Sequence, residues 1–352
     1  IRLIWFDSMG AKSSCVAVET AEGPVVIDPG ASKMQPSYPL PSEEKLRLKS
    51  RALGEIYGWL RRARAVVITH YHYDHHLVPG EEGAPPDPAP YRGKLIIAKN
   101  PNAYINESQW KRARELFSSI LEASGDRLEG HLTEPLREDF PDPVEDLPLA
   151  SSADFGDYAP RRRELLAKGR KWFQKLARGL WSSKPWVEEF ELGDGTRVVW
   201  GDGRTFEIGG VRFEILGPWF HGLEYDRTGW VTPVVVRRGG RVAFITSDVM
   251  GPEIEDYAEA VASARPDVVI LDGPPTYLFL FMLNRINLER AVENAIRIVE
   301  AEPEMIVYDH HLLRERRWRE RVRRVFAAAE REGVTLTTAA EVRGERPLID
   351  TL

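Results

Sequence analysis

One junction constrains the fold of this chain more than any other feature. Residues 65–69 form an uninterrupted apolar and β-branched run that ends directly on Thr69-His70-Tyr71-His72-Tyr73-Asp74-His75-His76. A short run with no polar alternation belongs to a strand covered on both faces, as in the parallel part of an α/β sheet. Immediately beyond it stand four strong metal-binding side chains in the pattern H-x-H-x-D-H. On an extended segment residues i and i+2 point to one side, so His70 and His72 can grip one ion, and a following turn can present Asp74 and His75 to a second.

The other candidate ligands also follow strand-like stretches. Of eight histidines, four lie in this segment, His221 follows residues 217–220, and His310 and His311 end the apolar run 305–308. Asp248 ends residues 244–248, and Asp28 ends 25–27. Strand ends on one edge of an open α/β sheet converge in space, and ligand sites lie there. Imidazoles mixed with carboxylates favour zinc, or manganese or iron where more oxygen ligands are present. Short strands are expected in the first thirty residues, an amphipathic helix over 41–63, further strands over 197–246, and an alternating helix and strand series over 254–332. The expectation is therefore α/β, one domain over 1–352, with residues 101–190 as a helical insertion.

These motifs, in this order, resemble the metallo-β-lactamase superfamily, and the segments around His70, Asp248, Asp272 and His310 further resemble an archaeal subfamily of predicted metal-dependent hydrolases. The resemblance implies a four-layer αββα sandwich with a one- or two-metal site between its sheets. Carried over by position, it implies His70, His72 and His221 on a first metal, Asp74, His75 and His310 on a second, and Asp248 bridging both. Asp28 would hold a ligand imidazole by a hydrogen bond. Because side chains alternate along a strand, only one of His310 and His311 is expected to face the metals; His310 is assigned and His311 is the alternative. His76 is read as packing beside the ligands.

Composition narrows the function classes. Net charge is −6, which argues against a surface wholly adapted to nucleic acid. The single cysteine, Cys15, excludes an internal disulfide and a cysteine-based zinc site, and is read as packing. The longest uncharged apolar run, 277–283, is far short of the roughly 18 residues of a membrane span, and no signal peptide is evident, so a cytoplasmic location is expected. That run suggests a pocket wall, a lid or a subunit contact. Residues 126–157 carry ten acidic and two basic side chains, whereas 158–184 carry nine basic and one acidic; the two halves are expected to neutralise each other. The seven arginines of 314–324 read as a solvated helix face, with a phosphate-tracking face as the alternative.

The expected function is a hydrolase in which a hydroxide held between two divalent ions, zinc first, attacks a phosphodiester, with Asp248 orienting it and Asp74 able to take a proton. A lactone, ester or thioester on the same site is the alternative, and a non-catalytic metal-stabilised module binding nucleic acid or protein is the reading from another class. The expected partners are a small-molecule or nucleic-acid phosphodiester and, for the apolar run and insertion, a second copy of the chain; no membrane is expected.

Overall fold

A computed structural model describes residues 1–137 and 139–352. Two seven-stranded sheets dominate it. In spatial order the first consists of Arg2–Phe6, Ser14–Val18, Val25–Ile27, Ala65–Ile68, Leu95–Ala98, Arg197–Trp200 and Phe190–Glu191. The second runs Thr205–Ile208, Val211–Ile215, Val234–Arg238, Arg241–Ile245, Val268–Asp272, Met305–Asp309 and Thr335–Thr337. Each sheet begins as an antiparallel meander and continues as parallel strands, Val25–Ile27 through Arg197–Trp200 in one and Arg241–Ile245 through Thr335–Thr337 in the other.

The period of two along each strand sorts the layers. In the second sheet Val234, Val236, Ala243, Ile245, Ile270 and Val307 join one core with the first sheet. Their neighbours Val235, Phe244, Val269, Leu271, Ile306 and Tyr308 face a second core with the helices Glu255–Ser263, Arg285–Val299 and Arg323–Glu332. The first sheet is covered by Ser42–Leu60, through Ala52, Leu53, Ile56 and Leu60, and by Glu107–Glu122, through Ala113, Leu116 and Phe117. The result is an αββα sandwich. Among the described residues no helix is long and apolar enough to cross a membrane.

The helix Glu107–Glu122 belongs to this sandwich: Phe117 meets Phe190 and Trp200 of the first sheet. Beyond it the chain leaves the layers, forms a two-stranded ribbon of Leu132–Thr133 with Trp186–Val187 and the helix Ala159–Leu176, then returns at Phe190. Among the described residues, ion pairs between the acidic and basic halves of this excursion are few. Arg170 reaches Asp142 at 2.9 Å, but Arg162 turns to Glu224 at 2.6 Å. That glutamate also binds Arg290 of the body at 3.0 Å, so the basic half is tied to the sandwich as much as to its acidic neighbour.

The reading of 314–324 as part of one continuous solvated helix is corrected. His310–Arg314 is a 3-10 turn, followed by the short helix Trp318–Arg321 and then Arg323–Glu332. Arg314 is buried with its side chain only 4% exposed, because the turn swings it under the sheet edge rather than onto the outer face. In 277–283 the root and the tip behave differently. Leu280, Phe281 and Met282 project into solvent, whereas Leu283 is buried in the helix-side core.

Candidate metal centre

The parallel strands of both sheets point their carboxyl ends to one edge, and the candidate ligands collect there. Ile68 is followed by the Thr69 to His76 loop, Ile245 by Asp248, and Asp309 by His310. The first loop is pinned from several sides. Asp28 takes the Thr69 amide at 2.8 Å and its hydroxyl at 2.7 Å, and the Thr232 amide binds the Thr69 carbonyl at 3.0 Å. Gln109, at the start of Glu107–Glu122, accepts from the Tyr71 amide at 3.3 Å and donates to the Thr228 carbonyl at 2.7 Å. It thereby links the His70 loop to the segment carrying His221, whose carbonyl accepts from the Thr228 hydroxyl at 2.6 Å.

The side chains form two adjoining groups. His70, His72, His221 and Asp248 offer ligand atoms within 4.8 Å of one another, as do Asp74, His75 and His310. Asp248 lies between them with its oxygens divided. Its Oδ2 is 3.2 Å from His221 Nε2 and 3.5 Å from His70 Nε2. Its Oδ1 is 3.1 Å from both His75 Nε2 and His310 Nε2. His72 approaches through Nδ1, 3.2 Å from His70 Nε2. Asp28 holds His75 Nδ1 at 2.9 Å, so Nε2 is the nitrogen left to face Asp248.

Backbone strain concentrates at this edge. Asp28, Ser247, Met250 and His310 all have left-handed φ, at 52°, 55°, 52° and 62°. Non-glycine residues persist there only where the surroundings over-determine them. The φ of His310 overturns the expectation that only one of the paired histidines can face inward. Strand geometry ends at Asp309, so alternation no longer applies, and Asp248, His310 and His311 together form a third close group. His310 Nδ1 is held by Asp7 at 2.9 Å and His311 Nδ1 by Asp272 at 2.9 Å.

The electrostatics suit a cation. Burial, then their neighbours, push the His70, His72 and His311 imidazoles well below the usual histidine range, so they are neutral donors. Burial opposes charge on His75 too, but the Asp248 and Asp28 carboxylates outweigh it and lift that imidazole to about 10. Burial works the other way on Asp248, yet His310, His75 and His70 hold its carboxyl well below the usual range. Buried polar atoms are normally paired. Here His75 Nε2, both nitrogens of His221, and Asp248 Oδ1 are buried without a hydrogen bond; His75 Nε2 faces Asp248 Oδ1, and His221 Nε2 faces the other Asp248 oxygen. The donor set therefore fits divalent ions.

His76 stands apart. It packs against the Tyr71 and Tyr73 rings at 6.2 and 5.8 Å, and burial pushes its imidazole down to about 3. His76→Phe is expected to retain the full metal content of the wild type; loss of one ion per chain in a metal assay would contradict this packing role.

The sequence reading gave Asp7, Asp272, Asp309 and Arg314 no part in the site. Asp7 takes Arg314 Nε at 2.5 Å as well as His310, and Arg314 and His310 hold its carboxyl well below the usual range against the opposing effect of burial. Asp309 accepts from the amides of Ser8, His310 and Ala339 at 3.0, 2.7 and 2.8 Å. Asp7, Asp272 and Asp309 all close strands, the same signal that singled out Asp28 and Asp248.

The metallo-beta-lactamase superfamily model matches residues 10–76, the stretch that ends on the histidine loop. A UPF0282 protein of Metallosphaera sedula is 27% identical over 99% of this chain and 89% of its own. Among solved structures, the metallo-beta-lactamase fold protein YhfI from Bacillus subtilis aligns with a TM-score of 0.43 at 11% identity, covering 93% of this chain and 88% of that one. The UPF0282 protein of Methanopyrus kandleri is 30% identical, over 97% of this chain and 92% of its own length. With that identity over nearly the whole of both proteins, the chain belongs to the UPF0282 family.

Proposed function

We propose that this protein is a hydrolase working with two divalent ions, zinc foremost, on a phosphodiester. The observation that carries the reading is Asp248, whose two oxygens face two different sets of imidazoles at 3.1–3.5 Å. A single-ion site has no use for that division. His70, His72, His221 and Asp248 would hold one ion, a nitrogen-rich set that suits zinc; Asp74, His75, His310 and Asp248 would hold the other, where more oxygen also admits manganese or iron. When bound, paired ions supply an activated water and polarise the oxygen of the bond to be cut, an arrangement well matched to phosphoester displacement.

The chain's own residues do the positioning. Asp28 and Asp7 fix the Nδ1 side of His75 and His310 and so present each Nε2 inward. Asp74, with its side chain 14% exposed, is the carboxylate nearest solvent and the one placed to pass a proton outward. The ester and lactone alternative drew on the apolar run 277–283. Its root touches Arg314, through the Tyr277 hydroxyl 3.4 Å from Nη1, while Leu280, Phe281 and Met282 are exposed to solvent rather than packed as a buried apolar wall.

The test is metal content together with turnover. Zinc- or manganese-loaded protein is expected to hold two ions per chain and to hydrolyse bis(p-nitrophenyl) phosphate well above p-nitrophenyl acetate. Two ions with turnover of the acetate alone would replace the phosphodiester by a carbonyl ester. A protein that takes up no metal would end the hydrolase reading.

A further inference from the structure

Beside Asp74 the structure brings Arg314, whose charge is paired with Asp7 through Nε alone, and its terminal nitrogens keep unused donor capacity. Arg314 makes one short bond, from Nε to Asp7. Its terminal nitrogens have only long contacts: Nη1 to the Tyr277 hydroxyl at 3.4 Å, and Nη2 to His310 Nε2 at 3.4 Å and Asp74 Oδ2 at 3.7 Å. The last two atoms are ones the metal reading assigns to an ion, so they cannot also satisfy the guanidinium. The backbone of Lys12 reaches the same edge from another part of the chain, which puts its side chain within range of this region. Its backbone pairs with Ser32 at 2.9 Å in both directions, and it directly precedes Ser13, whose amide binds Asp7 at 2.9 Å and whose carbonyl lies 3.1 Å from His310 Nδ1.

The Lys12 ammonium has no hydrogen-bond or ion-pair partner among the described residues. Burial, and then the Arg314 guanidinium, push it below the usual lysine range, while Asp74 and Asp7 pull it back. Two cations drawn together with partial loss of hydration repel each other, a cost that a bound anion would offset. Guanidinium and ammonium groups side by side suit a multiply charged, tetrahedral oxyanion better than a single carboxylate.

We propose that the Lys12 ammonium and the terminal nitrogens of Arg314, with the Tyr277 hydroxyl, form an oxyanion subsite beside Asp74 that seats a phosphoryl group of the substrate. The word substrate and the freedom of Arg314 Nη2 rest on the proposed metal site; the unpartnered Lys12 ammonium does not. It also gives the exposed side of Asp74 a direction, since a phosphoryl group held there borders the Asp74, His75 and His310 group.

Inorganic phosphate titrated calorimetrically into the full-length protein tests this, with zinc-loaded and metal-free samples and with acetate as the carboxylate comparison. Lys12→Gln removes a charge that has no partner, so folding is retained. It is expected to weaken phosphate binding by about tenfold at unchanged metal content, the loss of one charge-assisted contact. Arg314→Lys, which keeps the charge but not the fork, is expected to weaken it similarly. The Lys12→Gln loss should persist in metal-free protein, so a chain that binds no metal would sink the hydrolase reading and leave the subsite to be decided by that titration. Unchanged phosphate affinity in Lys12→Gln, or acetate bound as tightly as phosphate, would overturn the subsite.

Discussion

Asp248→Ala is expected to reduce bound metal from two ions per chain to fewer than one and to lower phosphodiester turnover by on the order of a thousandfold or more. The size follows from its place between the two groups. In the proposed site each other candidate ligand would hold one ion, whereas Asp248 turns Oδ2 toward His70 and His221 and Oδ1 toward His75 and His310. Its carboxylate is also the anion that several buried imidazoles face, so without it two cations would have to sit among neutral rings with less compensating charge. Metal analysis of the purified variant and turnover under saturating zinc check the expectation, with thermal melting to establish that the variant is folded. A folded Asp248→Ala protein that keeps two ions would remove the bridging role and with it the two-ion site.

The second large effect is expected at Gly30, far from any ligand role. A Cβ there would lie 2.2 Å from the His76 amide nitrogen and 2.6 Å from that of His75. Those atoms are backbone and cannot rotate aside, so Gly30→Ala must displace the loop whose His75 ring spans Asp28 and Asp248. Overpacking of this kind costs about 1–3 kcal/mol, at times more, and here it also spoils ligand geometry. Chemical denaturation should show that loss, and zinc titration should show weakened binding. Gly54, inside the helix Ser42–Leu60 with open space around its Cβ position, is the control: Gly54→Ala is expected to be neutral or to stabilise by up to about 1 kcal/mol. Equal stability of Gly30→Ala and wild type would mean that the approach of the two loops is looser than the structure has it.

Much of the site could be read from residue order because its logic is local. A buried strand, recognisable from its unbroken branched residues, ends on closely spaced histidines, and Asp28 and Asp248 announce themselves by closing strands of their own. The same rule would have found Asp7, Asp272 and Asp309 had it been applied to every strand. Arg314 is different. Its neighbours in sequence repeat with helical period, and period alone places it on a solvated face; only the break between the His310–Arg314 turn and Trp318–Arg321 buries it.

The amino-acid sequence by itself determined the α/β class, most of the strands of the two main sheets though not Leu95–Ala98, Phe190–Glu191 or Thr335–Thr337, and the residue types waiting at strand ends, because burial and periodicity act over a few neighbouring residues. The tertiary structure alone decided which of those ends meet. His310 reaches Asp7 across 303 positions because sheet pairing and packing bring the two strand ends to one edge. A left-handed φ at His310, which no side-chain pattern encodes, turns both histidines inward. Lys12, Arg314 and Asp74 likewise become neighbours only through the fold, since the free energy of a charge depends on what surrounds it in space, not on what flanks it in the chain.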